Sequence, residues 1–237
     1  MRRIGFSTGA LARGDFERGL ELQRQPGINA VELSALRESE LERLIAALPS
    51  LDLDQFDYVS FHAPSQVSSE QHVADRLKAI HERNIPIIVH PDMITDFGPW
   101  RELGSSVLLE NMDQRKPVCR TATEMFHFFE ELPEAQFCFD IGHARQVDPT
   151  MTVADELLHA FSDRLAELHI SEVDEACRHV AISRSAVRAY RSLARQIPDS
   201  VPVIIESMIE DDGIDEELSR SLASLVPLPT GTVAVSA

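Results

Sequence analysis

Lysine is almost absent from this chain. Only Lys78 and Lys116 occur among 237 residues, and neither closely follows the end of an apolar run. Schiff-base chemistry therefore has no obvious carrier. Cysteine is scarce too. Cys119, Cys138 and Cys177 are odd in number and contain no C-x-x-C pair, so a disulfide framework is not expected and a reducing, cytoplasmic setting is. No apolar run reaches the length of a membrane span, and the start, Met1-Arg2-Arg3-Ile4, runs into a strand pattern rather than a signal peptide. Positive charge is in deficit: 22 Lys and Arg face 39 Asp and Glu, a formal net charge of −17. That balance argues against nucleic acid and anionic membrane as partners, since both depend on clustered cations. A small-molecule substrate is the expectation that remains. The sequence leaves the oligomeric state open, a homo-oligomer included.

What the chain does have is a repeated pattern of short apolar runs alternating with amphipathic stretches. The runs predict strands over 3–7, 30–33, 58–62, 87–90, 107–110, 137–140, 165–170 and 203–206. They are continuous rather than alternating, as expected for parallel strands covered on both faces. Helices are predicted over 15–23, 39–48, 69–83, 121–132, 153–161, 185–197 and 215–225. Leu41, Leu44, Ile45 and Leu48 supply one clear stripe. Residues 93–103 hold Gly98, Pro99 and Trp100 and predict a loop with at most a short helix. Eight strands with alternating helices predict an α/β fold, a single (βα)8 TIM barrel. The barrel domain is expected over 1–226, followed by a C-terminal tail over 227–237.

Residues of metal-ligand type sit where the predicted strands end: His62, His90, Glu110, Asp140 with His143, His169 and Glu206. A parallel barrel gathers those strand ends on one face. Glu110 and Glu206 each follow three apolar residues, a costly place for a carboxylate unless it is paired or metal-bound. The mixed carboxylate and imidazole set suits a divalent metal, Mn, Zn, Fe or Mg, with one to three ions. His179 follows the seventh strand and can reach back toward the same centre. Arg178 beside it is a candidate for a substrate oxyanion. Cys177 is either a thiolate ligand or an ordinary loop residue. Arg184, Arg188, Arg191 and Arg195 recur at one-turn spacing and read as a solvated helix face.

The order His, His, Glu, Asp-x-x-His, His, His, Glu resembles the xylose isomerase-like TIM-barrel superfamily, which includes sugar isomerases, epimerases and endonuclease IV. By that resemblance Glu110, Asp140, His169 and Glu206 are the core metal quartet. His62, His90, His143 and His179 match the extra ligands of the three-metal, endonuclease IV-like members. Cys177 stands where those members have Asp. His169-Ile170-Ser171-Glu172 is similar to the H-x-x-E stretch of the epimerases, which makes Glu172 a substrate-binding candidate. The first expectation is a metal-dependent isomerase or epimerase of a small polyhydroxylated, sugar-like substrate, with Glu110 and Glu206 trading a proton on opposite sides of the reacting carbon. The alternatives are a multinuclear metallohydrolase acting on a phosphate ester and a non-catalytic binding barrel.

Overall fold

The computed structural model describes residues 2–229. The barrel strands are β1 (Ile4–Ser7), β2 (Ala30–Ser34), β3 (Tyr58–His62), β4 (Ile87–Val89), β5 (Val107–Glu110), β6 (Gln136–Asp140), β7 (Leu165–Ile170) and β8 (Val203–Ile205). All eight are parallel and close in chain order, β8 pairing with β1 through Val203 and Ile4. The fold is the expected single (βα)8 barrel. The strands are runs of apolar residues because both faces are covered: Val31, Leu33, Phe61, Val89, Leu109, Phe139 and Ile205 all face the outer helices with no exposure.

The helices are α1 (Thr8–Ala12), α2 (Phe16–Leu22), α3 (Glu38–Ala47), α4 (Glu70–His81), α5 (Phe97–Arg101), α6 (Ala122–Glu131), α7 (Ile141–Val147), α8 (Thr152–Ala160), α9 (Arg184–Tyr190) and α10 (Ile214–Ser224). Polar caps set several starts, each accepting from a backbone N–H that the helix leaves free: Asp15 for α2, Ser69 for α4, Thr121 for α6 and Ser183 for α9. The helix predicted over 185–197 is shorter than expected. Ser192 N and Leu193 N bond three residues back, to Ala189 O and Tyr190 O, which tightens the chain into a turn. Helices α1 and α7 have no counterpart among the predicted helices.

The arginine stripe near α9 ties down the end of the described chain: Arg191 and Arg195 donate to the carbonyls of Val226 and Leu228. Of the predicted tail, residues 230–237 lie outside the described residues. Among the described residues, no helix is long and apolar enough to cross a membrane.

Candidate metal centre

Inside a barrel every second residue of a strand points to the axis. The last inward residues are therefore His62 on β3, Glu110 on β5, Asp140 on β6 and His169 on β7. His90 and Glu206 directly follow β4 and β8. The structure brings all six together. Glu110 is the hub. Its Oε2 lies 3.1 Å from His90 Nε2 and 3.4 Å from His62 Nε2. Its Oε1 lies 3.3 Å from His169 Nδ1 and 3.5 Å from His143 Nδ1. Glu206 Oε2 is also 3.3 Å from His169 Nδ1.

Two further histidines arrive by different local devices. Asp140 caps α7, accepting from His143 N at 2.7 Å, and the first turn of that helix swings His143 over the centre. A small antiparallel hairpin, Glu172–Val173 against His179–Val180, carries His179 back to the mouth. There His179 Nε2 faces His143 Nε2 at 3.3 Å. Asn111 braces the floor: its side chain donates to Asp140 O and accepts from Asp140 N, both at 2.8 Å.

Among the described residues five groups of ligand-type atoms result, each with its atoms within 4.8 Å of one another: three at the mouth, His62, His90 and Glu110; Glu110, Asp140, His169 and Glu206; and Asp140, His143 and His179; and two that reach deeper, Glu32, His62 and Glu206, and Cys138, Glu167 and His169. The polar atoms around them fit cations. Glu110 Oε2 and Asp140 Oδ2 are buried with no hydrogen-bond partner. Two imidazoles have one nitrogen engaged by a backbone carbonyl: His62 Nδ1 with Ala63 O at 2.8 Å and His143 Nδ1 with Asn111 O at 2.9 Å. If those nitrogens donate, the Nε2 lone pairs face the centre. Lone pairs opposed to carboxylates in a dry pocket need either protons or metal ions between them. Nitrogen and oxygen donors together suit Mn, Fe or Zn.

The same opposition appears in the proton affinities. Burial favours neutral His62, but Glu32, Glu110 and Glu206 outweigh it and push its pKa up to about 9. Burial raises Asp140 to about 8, against the pull of His143. Burial lowers His179 to about 4. Burial would raise Glu206, but His169 and His179 hold it below the usual carboxylate range.

The other sequence candidates are placed elsewhere. The Arg178 side chain is 71% exposed and pairs with Asp174 at 2.7 Å. Glu172 pairs with Arg145 at 2.8 Å and accepts from Ser183 N. Both residues brace the hairpin. Cys177 is buried, with its Sγ 2.7 Å from Gln146 Nε2. It belongs to none of the ligand groups.

Two residues that the sequence reading passed over belong to the interior: Glu32 on β2 and Glu167 on β7, both fully buried. Their signal was present. Each stands in the middle of an apolar run, A-V-E-L-S and L-A-E-L-H, and Glu167 is two residues before His169, on the same face of the strand. Glu32 Oε2 lies 3.2 Å from His169 Nε2, and neither Glu32 oxygen has a hydrogen-bond partner.

Above the centre opens a cavity of about 400 Å3. His62, His90, His179 and Glu206 line its floor; Ser7, Ser34 and Ser65 its wall; Arg13, Arg37, Leu36 and Met208 its rim. Glu110 does not reach it.

No family model and no curated protein matches the chain. Among solved structures it is similar to a xylose isomerase domain protein from Alicyclobacillus acidocaldarius subsp. acidocaldarius, at 13% identity over 95% of this chain and 98% of that one, TM-score 0.62. It is similar to endonuclease IV from Thermus thermophilus, at 19% identity over 93% and 98%, TM-score 0.58. A xylose isomerase-like TIM barrel protein from Mycobacterium smegmatis, solved in complex with magnesium, matches at 13% identity over 95% and 98%, TM-score 0.58. At these identities the likeness is one of fold, and the fold of this chain is the one shared by endonuclease IV and the xylose isomerase-like TIM barrels.

Proposed function

We propose that this chain is a divalent-metal-dependent enzyme whose centre holds more than one cation, and that it hydrolyses a small phosphate ester. The observation that carries this reading is the sharing of carboxylates. Glu110 belongs to two adjoining ligand groups and Asp140 to two, the arrangement by which a single buried anion holds neighbouring cations at close range. Such cations, when bound, polarise substrate oxygens and screen the charge that develops on a phosphoryl group.

The chain's own residues supply the rest. Glu110, 1% exposed at its side chain and walled by histidines, would hold cations rather than act as a base facing substrate. Glu206 is the one ligand-type carboxylate in the cavity lining; it would take the proton of the attacking water as that oxygen bonds to phosphorus and give it up to the leaving alcohol oxygen as the ester P–O bond breaks. Arg13 and Arg37 at the rim would meet the anionic substrate; among the described residues Arg13 pairs with Glu210 at 3.8 Å and Arg37 with Glu40. The cavity is of small-molecule size, and the net charge of −17 opposes a nucleic-acid duplex.

A second reading, isomerisation or epimerisation of a sugar-like substrate, keeps the support of Glu206, which faces the cavity while touching His169. It needs a second proton-transfer group, and Glu110 is too deep to be one.

Elemental analysis of untagged protein purified without chelator is expected to give at least two divalent cations per chain. Assays of phosphomonoesters and simple diesters are expected to show hydrolysis that Glu206→Gln abolishes. A single cation, with deuterium taken up beside a carbonyl from D2O during incubation with ketoses and aldoses, would replace this reading with the isomerase one. Tight binding and cleavage of duplex DNA would replace the small substrate.

A further inference from the structure

The interior of a closed eight-stranded barrel is ordinarily packed with branched aliphatic side chains. Here Ile88, Leu108 and Cys138 fill one side of the layer beneath the candidate metal centre. The other side holds Glu32, Ser60 and Glu167, all fully buried. A carboxylate in so dry a place is costly unless it collects hydrogen bonds. Glu167 collects them. Tyr58 Oη donates to its Oε2, Ser60 Oγ donates to its Oε1 at 3.3 Å, and the same Oε1 lies 2.9 Å from His169 Nε2.

The His169 ring therefore bridges two layers. Its Nδ1 looks up at Glu110 and Glu206, 3.3 Å from each, and its Nε2 looks down at Glu167. A neutral imidazole carries one N–H. For Nδ1 to offer a lone pair to the upper group, the proton must sit on Nε2, and it needs an acceptor there. Glu32 also approaches that nitrogen, at 3.2 Å, but neither of its oxygens has a hydrogen-bond partner. Glu167 is aligned with it and is anchored independently by two hydroxyls.

We propose that Glu167 is a positioning residue: it holds the Nε2–H of His169, fixing the tautomer and ring plane in which Nδ1 binds a cation. The inference rests on the metal-dependent reading above, although it needs neither the hydrolase nor the isomerase version of it. A carboxylate behind a ligating histidine typically changes metal affinity by about 10–100-fold when it is lost.

The test uses the full chain, stripped of metal by chelator and titrated with Mn2+ and with Zn2+ against a competing chelator. Alongside it, long-range 15N–1H spectra of the Zn2+-loaded protein, labelled at histidine, report which nitrogen of His169 carries hydrogen. Glu167→Gln is expected to weaken cation binding by about 10–100-fold and to shift the His169 Nε2–H resonance upfield. Ile88→Val and Cys138→Ser are expected to leave affinity unchanged; a purely structural role for this layer would make all three behave alike. Wild-type affinity in Glu167→Gln, with wild-type protein binding metal, overturns this inference alone. So does hydrogen on Nδ1 of His169, which is read on the wild-type chain and decides the matter even where a variant fails to fold. Loss of a cation in Cys138→Ser also overturns it, because Cys138, Glu167 and His169 would then be ligands of a lower site. Binding of neither cation by the wild-type chain overturns this inference and the metal-dependent reading together.

Discussion

His62 and Asp140 set how the metal-free centre responds to pH. His62 moves from an ordinary 6.5 to about 9, so its contribution to stability is complete below pH 6.5 and is lost as pH rises through 9. Asp140, moved from 3.8 to about 8, has the same sign: the fold favours its neutral form, and ionisation costs stability up to pH 8. His179, lowered to about 4, acts in the opposite direction, but its effect is complete by pH 6.5. Thermal melts of chelator-treated protein are thus expected to show a falling Tm between pH 6.5 and 9, and saturating Mn2+ is expected to abolish the fall because cations take the place of protons. A Tm that climbs over that interval without metal would contradict the arrangement. Glu110 and Glu206 should also separate. Glu110→Gln touches two ligand groups and is expected to remove at least one equivalent of bound cation. Glu206→Gln, at the cavity edge of the centre, is expected to weaken affinity at least about tenfold, both measured by titration after chelator treatment.

Elements explain which parts of the centre could be read in advance. His62, Glu110, Asp140 and His169 were legible because each lies at or next to the end of a mostly apolar run, and a parallel barrel gives such positions one destination. His143 was legible as a residue but not as a helical one, because α7 starts on the β6 residue Asp140 itself and offers no spacer between strand and helix. His179 depends on paired strands of two residues each, too short to carry any period. Glu167 and Glu32 were hidden for a different reason: both sit inside apolar strand patterns, where a lone carboxylate is easily taken for noise. The junction of β6 and α7 is tight. A Cβ at Gly142 would lie 2.7 Å from Ser171 O and 3.1 Å from Val173. Gly142→Ala is therefore expected to push α7 away from β7, displace His143, and cost about 1–3 kcal/mol in denaturant unfolding. An unchanged midpoint with unchanged metal content would show that the junction yields without consequence.

For the whole molecule, repulsion and its relief dominate. A chain of net charge −17 that gathers Glu32, Glu110, Asp140, Glu167 and Glu206 around one axis stores electrostatic cost that divalent cations reduce. Binding at 100 times the dissociation constant is worth about 2.7 kcal/mol, which for a chain of this size corresponds to a rise in Tm of roughly 5–10 °C. Scanning calorimetry with Mn2+ and with Zn2+ is expected to show it, and an unmoved Tm would argue against a specific centre. The closed barrel itself was readable from the alternation of runs and stripes. The sequence alone could not show how deep each carboxylate sits, because depth is set by the register of strands distant in sequence.

The uneven filling of the barrel interior makes cooperativity uneven too. Ile88, Leu108 and Cys138 gain nothing from water, so the sector of β4, β5 and β6 should open only with global unfolding. Glu32, buried on β2 without a hydrogen-bond partner, regains hydration as soon as its sector loosens. In metal-free protein, backbone amides of β2 and β3 are expected to exchange with deuterated solvent faster than those of β5 and β6, although all four strands are paired on both sides in the closed barrel. Cation loading is expected to bring the two sectors to a common rate, so the centre would act as the keystone that makes half a barrel fold as one with the other half. Uniform exchange in the metal-free protein would show that the polar sector is no weaker than the apolar one.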